Sequence, residues 1–196
     1  MSRLLQPVAL VAIGCSAGGP PALQEILPVL PADLPATVVV VQHMPERFTS
    51  LLAERLARLC ALPVAEIADG DRVQTRRIWI APGGRQTLLE RGGDGVIFRL
   101  RARASGERYA PSADILMTSG AAIYGRRVLG VLMTGMGDDG VAGLRAIKER
   151  RGRTLVESEQ TAAVFGMPRE AIRAGVADQV LPRPALAPEI SRLCGA

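Results

Sequence analysis

Three short apolar runs, each ended at once by a turn of glycine or polar residues, constrain the fold more than any other feature. They occupy residues 8–13, 37–41 and 128–133. None of them alternates apolar with polar residues, so each run predicts a strand that is buried on both of its faces. Strands of this kind occur mainly in parallel sheets that are covered by helices. Composition agrees, because 48% of the residues are hydrophobic but only 3% are aromatic, which disfavours an aromatic-rich sandwich.

Helical patterns alternate with these runs along the chain. Helices are predicted at residues 20–30, 48–60, 112–125, 141–147 and 168–174, and further strands at 77–81, 154–157 and 178–181. Residues 87–90 and 96–100, separated by a glycine-rich turn, predict an antiparallel hairpin. We therefore predict that residues 1–196 form a single α/β domain of three layers. It would contain a mostly parallel, doubly wound sheet with helices on both faces, right-handed crossovers and the hairpin at one edge.

The charge of the chain is positive but diffuse. The formal net charge is +5, and of the 24 basic residues only Lys148 is a lysine. The longest basic cluster is at residues 149–153, and no aromatic residues are interleaved with the arginines to stack on bases. We therefore predict no nucleic-acid binding, and we interpret the charge as a solvated arginine surface or as a match for an acidic protein partner.

Metal, cofactor and membrane functions are also disfavoured. The three cysteines are far apart, no CxxC pair exists and the chain has one histidine, so the residues for a usual zinc site are missing. The glycines after the first run do not form the dinucleotide-binding G-x-G-x-x-G pattern, and no acidic residue ends the second strand. No apolar stretch is long enough to cross a bilayer. We predict a cytoplasmic protein with free thiols and without metal, cofactor or membrane insertion.

Three polar residues of complementary chemistry each follow the carboxyl end of a predicted strand. Ser16 lies in the turn Gly-Cys-Ser-Ala-Gly-Gly of residues 14–19, His43 follows the second strand, and Asp139 follows the strand at 128–133. Ligands bind at this edge of open α/β sheets, near the point where the strand order reverses. A serine there could attack a carbonyl, because N–H groups at the start of the next helix would stabilise the negative charge. His43, the one histidine, would be the base, and Asp139 would orient it.

Each of these residues also has a simpler interpretation. Ser16 could only cap a helix, and His43 could be an ordinary loop histidine. Asp139 could cap the helix that follows it, and the neighbouring Asp138 could be the functional carboxylate instead. The G-x-S-x-G pattern around Ser16 also matches the elbow of α/β-hydrolases. That fold places its histidine last in the chain, whereas here the histidine lies between the serine and the aspartate.

Over residues 8–182 the chain resembles the catalytic domain of the chemotaxis receptor methylesterases, the CheB-type protein-glutamate methylesterases. Six ordered motifs carry the resemblance: Ile-Gly-Cys-Ser-Ala-Gly-Gly at 13–19, Gln-His-Met-Pro at 42–45, Ile-Ala-Pro-Gly at 80–83, Pro-Ser-Ala-Asp at 111–114, Thr-Gly-Met-Gly-Asp-Asp-Gly at 134–140 and Val-Phe-Gly-Met-Pro at 164–168. Carried onto this sequence, the family's nucleophile falls on Ser16 and its base on His43. Its carboxylate falls on Asp139 rather than on Asp138.

The resemblance also implies an activity. The protein would hydrolyse γ-glutamyl methyl esters of methyl-accepting chemotaxis receptors, releasing methanol, and many family members also deamidate receptor glutamines. The backbone N–H of Met136 matches the family's oxyanion donor, and those of Ala17 and Gly18 are further candidates. Two alternatives stay open: a related serine esterase or amidase with a different acyl substrate, and a catalytically silent module that binds receptors.

The sequence departs from the family pattern at three points. Ala17 stands where the family commonly has Thr or Ser, and Gln86 stands where it often has His. We expect these exchanges to weaken hydrogen bonding to the substrate or to alter the preferred ester. Family members usually carry an upstream phospho-receiver domain, which this sequence does not contain. If Met1 is the natural start rather than the edge of a fragment, we expect constitutive activity or control by a separate regulatory partner instead of aspartyl phosphorylation.

Overall fold

The structure, a computed structural model, describes residues 7–196, so residues 1–6 of the predicted domain lie outside the described residues. Its strands are β1 (Leu10–Cys15), β2 (Thr37–Gln42), β3 (Val64–Glu66), β4 (Arg77–Ile80), β5 (Arg85–Gly92), β6 (Gly95–Ala102), β7 (Val128–Leu132), β8 (Arg153–Glu157) and β9 (Gln179–Leu181). Its α-helices are α1 (Gly19–Ile26), α2 (Phe48–Ala57), α3 (Ala113–Tyr124), α4 (Val141–Glu149), α5 (Met167–Arg173) and α6 (Arg183–Cys194). Within the described residues, no helix combines the length and the apolar character that crossing a membrane requires.

Seven of these strands form one parallel sheet in the order β3-β4-β2-β1-β7-β8-β9. β1 lies at its centre, with Leu10 opposite Thr37 of β2 on one side and opposite Val128 of β7 on the other. The chain builds β2, β4 and β3 on one side of β1, and β7, β8 and β9 on the other. The strand order therefore reverses at β1, which leaves a crevice beyond its carboxyl end. The predicted doubly wound, parallel sheet is confirmed.

Helices cover both faces of the sheet, because successive residues of a strand point to opposite sides. Val11 and Ile13 of β1 belong to a core cluster with buried residues of α1, α2 and α6. Leu10 and Ala12, one residue out of step, belong to a second cluster with buried residues of α3, α4 and α5. The three-layer arrangement is therefore confirmed, with β1 buried along its whole length.

The predicted hairpin is present as β5 and β6, which pair antiparallel in a separate two-stranded sheet. Its apolar side chains Leu89 and Phe98 join the core cluster on the face that α3 covers. The backbone N–H of Leu89 also donates to Ser119 Oγ of α3 at 3.1 Å. The hairpin thus packs on a helix rather than pairing with an edge strand of the main sheet. It leads into the loop of residues 103–112, which reaches His43 after β2.

Two elements have no counterpart in the sequence prediction. β3 has only three residues, all of them half-buried, so it is too short to show a periodicity. α6 carries Pro184 in its first turn and Pro188 in its interior, and a proline in a helix interior removes a hydrogen bond. The helix nevertheless forms, because Leu186 and Ile190 pack into the core beside α1 and α2.

Candidate active site

Ser16, His43 and Asp139 all lie at the carboxyl edge of the sheet, where the strand order reverses. Ser16 is the first residue after β1 and His43 is the first after β2, whereas Asp139 lies in the loop between β7 and α4. The N–H of Ser16 donates to Thr134 O at 2.9 Å, and the N–H of His43 donates to Cys15 O at 3.0 Å. These bonds continue the hydrogen bonding of the sheet past the strand ends, so the three loops leave the sheet side by side.

His43 and Asp139 are in direct contact. Nε2 of His43 and Oδ2 of Asp139 are 2.7 Å apart, and the two side chains are 14% and 2% exposed. Because Nε2 faces the carboxylate, Nδ1 is the ring nitrogen that is left to exchange a proton with another group. Within residues 7–196, no hydrogen bond joins Ser16 Oγ to His43. The structure thus brings the histidine and the carboxylate together and places the serine on the same rim, without a bond between serine and histidine.

Asp139 is held as a carboxylate at the N-terminus of α3. Besides its bond to His43, it accepts from Ser112 Oγ at 2.7 Å and from the N–H groups of Ala113 at 2.7 Å and Asp114 at 3.0 Å. Burial alone would raise the pKa of Asp139, but these donors and the imidazole outweigh burial and lower the pKa below its usual value. The N–H groups at the start of a helix also favour an anion. Asp139 is therefore ionised where it meets the histidine.

Asp138, the alternative carboxylate, is engaged elsewhere. Its side chain is 51% exposed, and its Oδ1 pairs with Nη2 of Arg108 at 2.6 Å. An exposed ion pair of this kind contributes little to stability. Of the two neighbouring aspartates, Asp139 is the one that contacts His43.

The simpler interpretation of Asp139, as the cap of α4, is wrong, because α4 is capped from α3. The N–H groups of Gly140 and Gly143 donate to Asp114 Oδ1 at 2.9 and 2.7 Å. Asp139, which precedes α4, accepts in turn from the first N–H groups of α3. Burial raises the pKa of Asp114, and the charge of Asp139 raises it further, against the lowering effect of the two N–H groups. The carboxylate beside each helix start thus accepts hydrogen bonds from the N–H groups of the other helix start, and this fixes the loop that carries Asp139.

Three backbone N–H groups near Ser16 are available to an incoming oxygen. In the part of the chain that the structure describes, the N–H groups of Ala17, Gly18 and Met136 have no hydrogen-bond acceptor. Met136 is brought to the serine by Gly135, at which a Cβ atom would lie only 2.7 Å from Ser16 Cβ. Any larger residue at that position would collide with Met167 of α5 as well as with the serine. The N–H groups that sequence reasoning selected are therefore unengaged and lie beside the serine.

The sequence prediction missed how the loop before α3 is held. Buried Gln86 donates from Nε2 to Tyr109 O at 2.6 Å and to Glu107 Oε2 at 3.1 Å, and its Oε1 accepts from the Ser112 N–H at 3.0 Å. Both ends of this amide are engaged by the loop, so Gln86 holds the loop in place, and the effect of the exchange on the substrate stays a prediction. The available signal was the motif at residues 111–114, in which sequence reasoning gives Ser112 only the role of a helix cap, which the structure confirms, and gives Asp114 no role.

An open cleft of about 540 Å³ lies beside His43. It is lined by apolar and charged side chains, among them Met44, Pro45, Glu46, Arg103, Arg108 and Tyr109. Among residues 7–196, no three His, Cys, Asp or Glu side chains are grouped so that they could hold a metal ion.

The comparison with known sequences gives consistent matches over nearly the whole chain. A family model described as CheB methylesterase matches residues 11–190. The protein-glutamate methylesterase/protein-glutamine glutaminase 3 of Geobacter sulfurreducens is 50% identical over 185 residues, which are 94% of this chain and 50% of that protein. The protein-glutamate methylesterase/protein-glutamine glutaminase 5 of Anaeromyxobacter dehalogenans is 52% identical over 184 residues, which are 94% of this chain and 51% of that protein. The chain thus spans about half the length of these curated relatives.

The comparison with solved structures agrees. The crystal structure of the Thermotoga maritima CheB methylesterase catalytic domain superposes with a TM-score of 0.92 at 38% sequence identity. The match covers 95% of this chain and 98% of that chain. Similarity in sequence and similarity in fold therefore extend over the same region.

Proposed function

The chain belongs to the CheB methylesterase family, and from this we propose that it hydrolyses glutamate γ-methyl esters of methyl-accepting chemotaxis receptors. Its relatives are named for both methylesterase and glutaminase activity, so the proposal includes deamidation of receptor glutamines. One observation carries it: the contact of 2.7 Å between His43 and Asp139, next to Ser16 at the reversal of strand order. This combination suits acyl transfer, in which a serine needs a base and the base needs an orienting carboxylate.

In the proposed reaction, Ser16 Oγ attacks the ester carbonyl carbon while His43 removes the hydroxyl proton. Nδ1 is the nitrogen that receives the proton, since Nε2 is bonded to Asp139. The tetrahedral intermediate then collapses, the imidazolium gives its proton to the methoxide, and methanol leaves an acyl-enzyme behind. A water molecule deprotonated by His43 splits the acyl-enzyme into glutamate and free Ser16. When glutamine replaces the ester, the same steps release ammonia.

The charges that arise in this reaction have partners in the site. Asp139, kept ionised by its hydrogen bonds, would stabilise the imidazolium on one side of the reacting carbon. The unengaged N–H of Met136, with those of Ala17 and Gly18, would stabilise the carbonyl oxygen as it becomes negative on the other. The missing bond between Ser16 and the histidine is one that commonly tightens only when substrate is bound.

The open cleft, the net charge and the cysteines of the molecule suit a large acidic substrate and a reducing compartment. The cleft beside the histidine is open, and the net charge of +5 favours encounter with an acidic receptor surface. Cys15, Cys60 and Cys194 are free thiols, as in proteins of the cytoplasm, where we place the reaction.

Methanol release from a radiomethylated receptor membrane fraction tests the proposal. We expect the pure chain to release labelled methanol, and Ser16→Ala and His43→Ala to lower kcat by about 10⁴-fold or more. Ser50→Ala is the matched control, because within residues 7–196 the hydroxyl of that serine donates only to Arg47 O in its own turn. Equal melting temperatures would show that the variants are folded. Near-normal turnover in His43→Ala would contradict the mechanism.

The same preparation separates the two alternatives. A related serine esterase or amidase would hydrolyse small aryl esters but leave the receptor methyl esters intact. A silent receptor-binding module would not react with a fluorophosphonate, whereas the proposed enzyme is labelled covalently and the Ser16→Ala variant is not.

A further inference from the structure

The aromatic ring of Tyr109 lies flat against the imidazole of His43. The two ring centroids are 4.6 Å apart, and the ring planes differ by only 8°. Tyr109 stands in the loop between β6 and α3, a segment without a periodic sequence pattern, and it lines the cleft together with His43. The steps of the proposed reaction make no use of this contact.

Tyr109 is itself held from several directions. Its carbonyl oxygen accepts a hydrogen bond of 2.6 Å from buried Gln86. Its hydroxyl packs against Gly137, where φ is +98° and an added Cβ would collide with the phenol oxygen. The guanidinium carbon of Arg108 lies 5.4 Å from the ring centroid, and Arg108 is paired with Asp138. The ring is therefore a fixed wall of the site rather than a freely rotating surface side chain.

The Tyr109 ring restricts the His43 imidazole in a way that the contact with Asp139 does not. The hydrogen bond at Nε2 fixes one atom of the His43 ring but leaves the ring able to turn about that atom. A flat aromatic partner restricts the plane of the ring, and with it the direction in which Nδ1 points. An aromatic face also favours the cationic imidazole that arises during proton transfer. His43 thus has one anchor on Asp139 and a second on Tyr109.

We propose that Tyr109 is a positioning residue, which orients the imidazole of His43 so that Nδ1 faces Ser16. It acts through the histidine and does not touch the reacting atoms. The catalytic consequence of this role rests on the proposed esterase function, whereas the stacking itself does not. The contact and its consequence can therefore be tested separately.

The contact is tested by proton NMR on the untagged chain. The chain has one histidine, so all imidazole C–H signals come from His43. Protons that lie over an aromatic face are shifted upfield, so we expect wild-type signals upfield of those of free histidine. Tyr109→Leu should abolish the shift and Tyr109→Phe should retain it, while Tyr124→Leu, which removes the other tyrosine at the end of α3, should leave it unchanged. Equal signals in wild type and Tyr109→Leu would overturn the proposal.

The consequence is tested by comparing kcat with KM. Displacement of a catalytic group by about 1 Å costs on the order of 10²-fold. We therefore expect Tyr109→Leu to lower kcat about 10- to 100-fold with KM within about twofold of wild type, and Tyr109→Phe to restore kcat. If Tyr109→Leu raised KM and left kcat unchanged, Tyr109 would be a substrate contact and the positioning role would be overturned. If both kcat and KM were unchanged, the positioning role would be overturned as well. If the melting temperature of Tyr109→Leu shows that this variant does not fold, Tyr109→Ala is used in its place.

Failure of the esterase proposal gives a different result. If the wild-type chain releases no methanol but its NMR signals respond to Tyr109→Leu, the proposed function is wrong and the orientation of His43 by Tyr109 stands. If methanol is released and neither the signals nor kcat respond, the function stands and the positioning role is overturned.

Discussion

At the scale of single residues, Asp139 shows how one carboxylate can serve both the fold and the candidate site. Its oxygens accept from a serine hydroxyl, from two backbone N–H groups and from the ring of His43. A buried charge without such partners would be strongly unfavourable. At Asp139 the hydrogen bonds outweigh the effect of burial and lower the pKa. The start of α3 needs an anion and the imidazole needs an orienting partner, and the same group satisfies both.

We expect Asp139→Asn to lower kcat by about 10³- to 10⁴-fold and to change the response of stability to acid. The folded-state pKa of Asp139 is lowered, so its charge stabilises the fold fully above the unfolded pKa of about 3.9. This contribution is lost as pH falls through the lower folded pKa. Urea unfolding from neutral to strongly acidic pH should therefore show a gap between wild type and variant that narrows as pH falls. A constant gap would contradict the ionised state.

Asp138→Asn is the control for this comparison. It removes the neighbouring carboxylate, which is exposed and, among the described residues, has its side chain paired only with Arg108. We therefore expect near wild-type stability and a loss of kcat far smaller than that of Asp139→Asn, since Arg108 is only one of the contacts of Tyr109. If Asp138→Asn lost as much activity as Asp139→Asn, the assignment of the carboxylate to Asp139 would be wrong.

At the scale of elements, the site depends on two helix starts that are tied to each other. Asp114 of α3 accepts from the first N–H groups of α4, and Asp139 before α4 accepts from those of α3. The loop after β7 meets the loop after β1 where Gly135 passes Ser16. The position of the serine relative to the carboxylate is therefore set by contacts between loops, and a change in one loop should be felt at the other.

Gly135→Ala tests this close approach. The added methyl group would lie closest to Met167 Sδ of α5 and 2.7 Å from Ser16 Cβ, so Met167 and the loop that carries Met136 must both shift. We expect kcat to fall about 10- to 100-fold and the free energy of unfolding to fall by about 1–3 kcal/mol, measured by methanol release and urea unfolding. Gly93→Ala, in the hairpin turn where a Cβ would meet nothing within 4 Å, should change neither. Full activity in Gly135→Ala would show that this packing is not required.

At the scale of the whole molecule, the features that could be predicted are those in which burial leaves a local trace. β1, β2 and β7 are buried along their whole length, which is why their apolar runs show no alternation. The parallel arrangement then implies that residues after their carboxyl ends share one edge, and Ser16 and His43 do lie there, each directly after its strand. The choice between Asp138 and Asp139 needed the resemblance to a family, because the two are equivalent by position in the sequence.

The remaining features depend on contacts that leave no local trace. β3 is too short for a pattern, and the prolines of α6 argue against a helix that tertiary packing nevertheless stabilises. The stacking of Tyr109 on His43 and the bonds from Gln86 join distant parts of the chain through an irregular loop. Nothing in the residues next to Tyr109 indicates its partner, so this part of the site appears only in three dimensions.

The charge of the whole molecule leads to a prediction about substrate encounter. The net charge is +5, with basic residues spread along the chain, and such a field acts over a Debye length of about 10 Å at 0.1 M salt. We expect kcat/KM for methylated receptor to fall several-fold as sodium chloride rises from about 0.05 to 0.5 M, with kcat unchanged. A small neutral ester, which charge does not attract, is the control and should keep its kcat/KM. If both substrates lost activity alike, salt would be acting on the site itself, and if neither did, the net charge would have no part in bringing the receptor to the site.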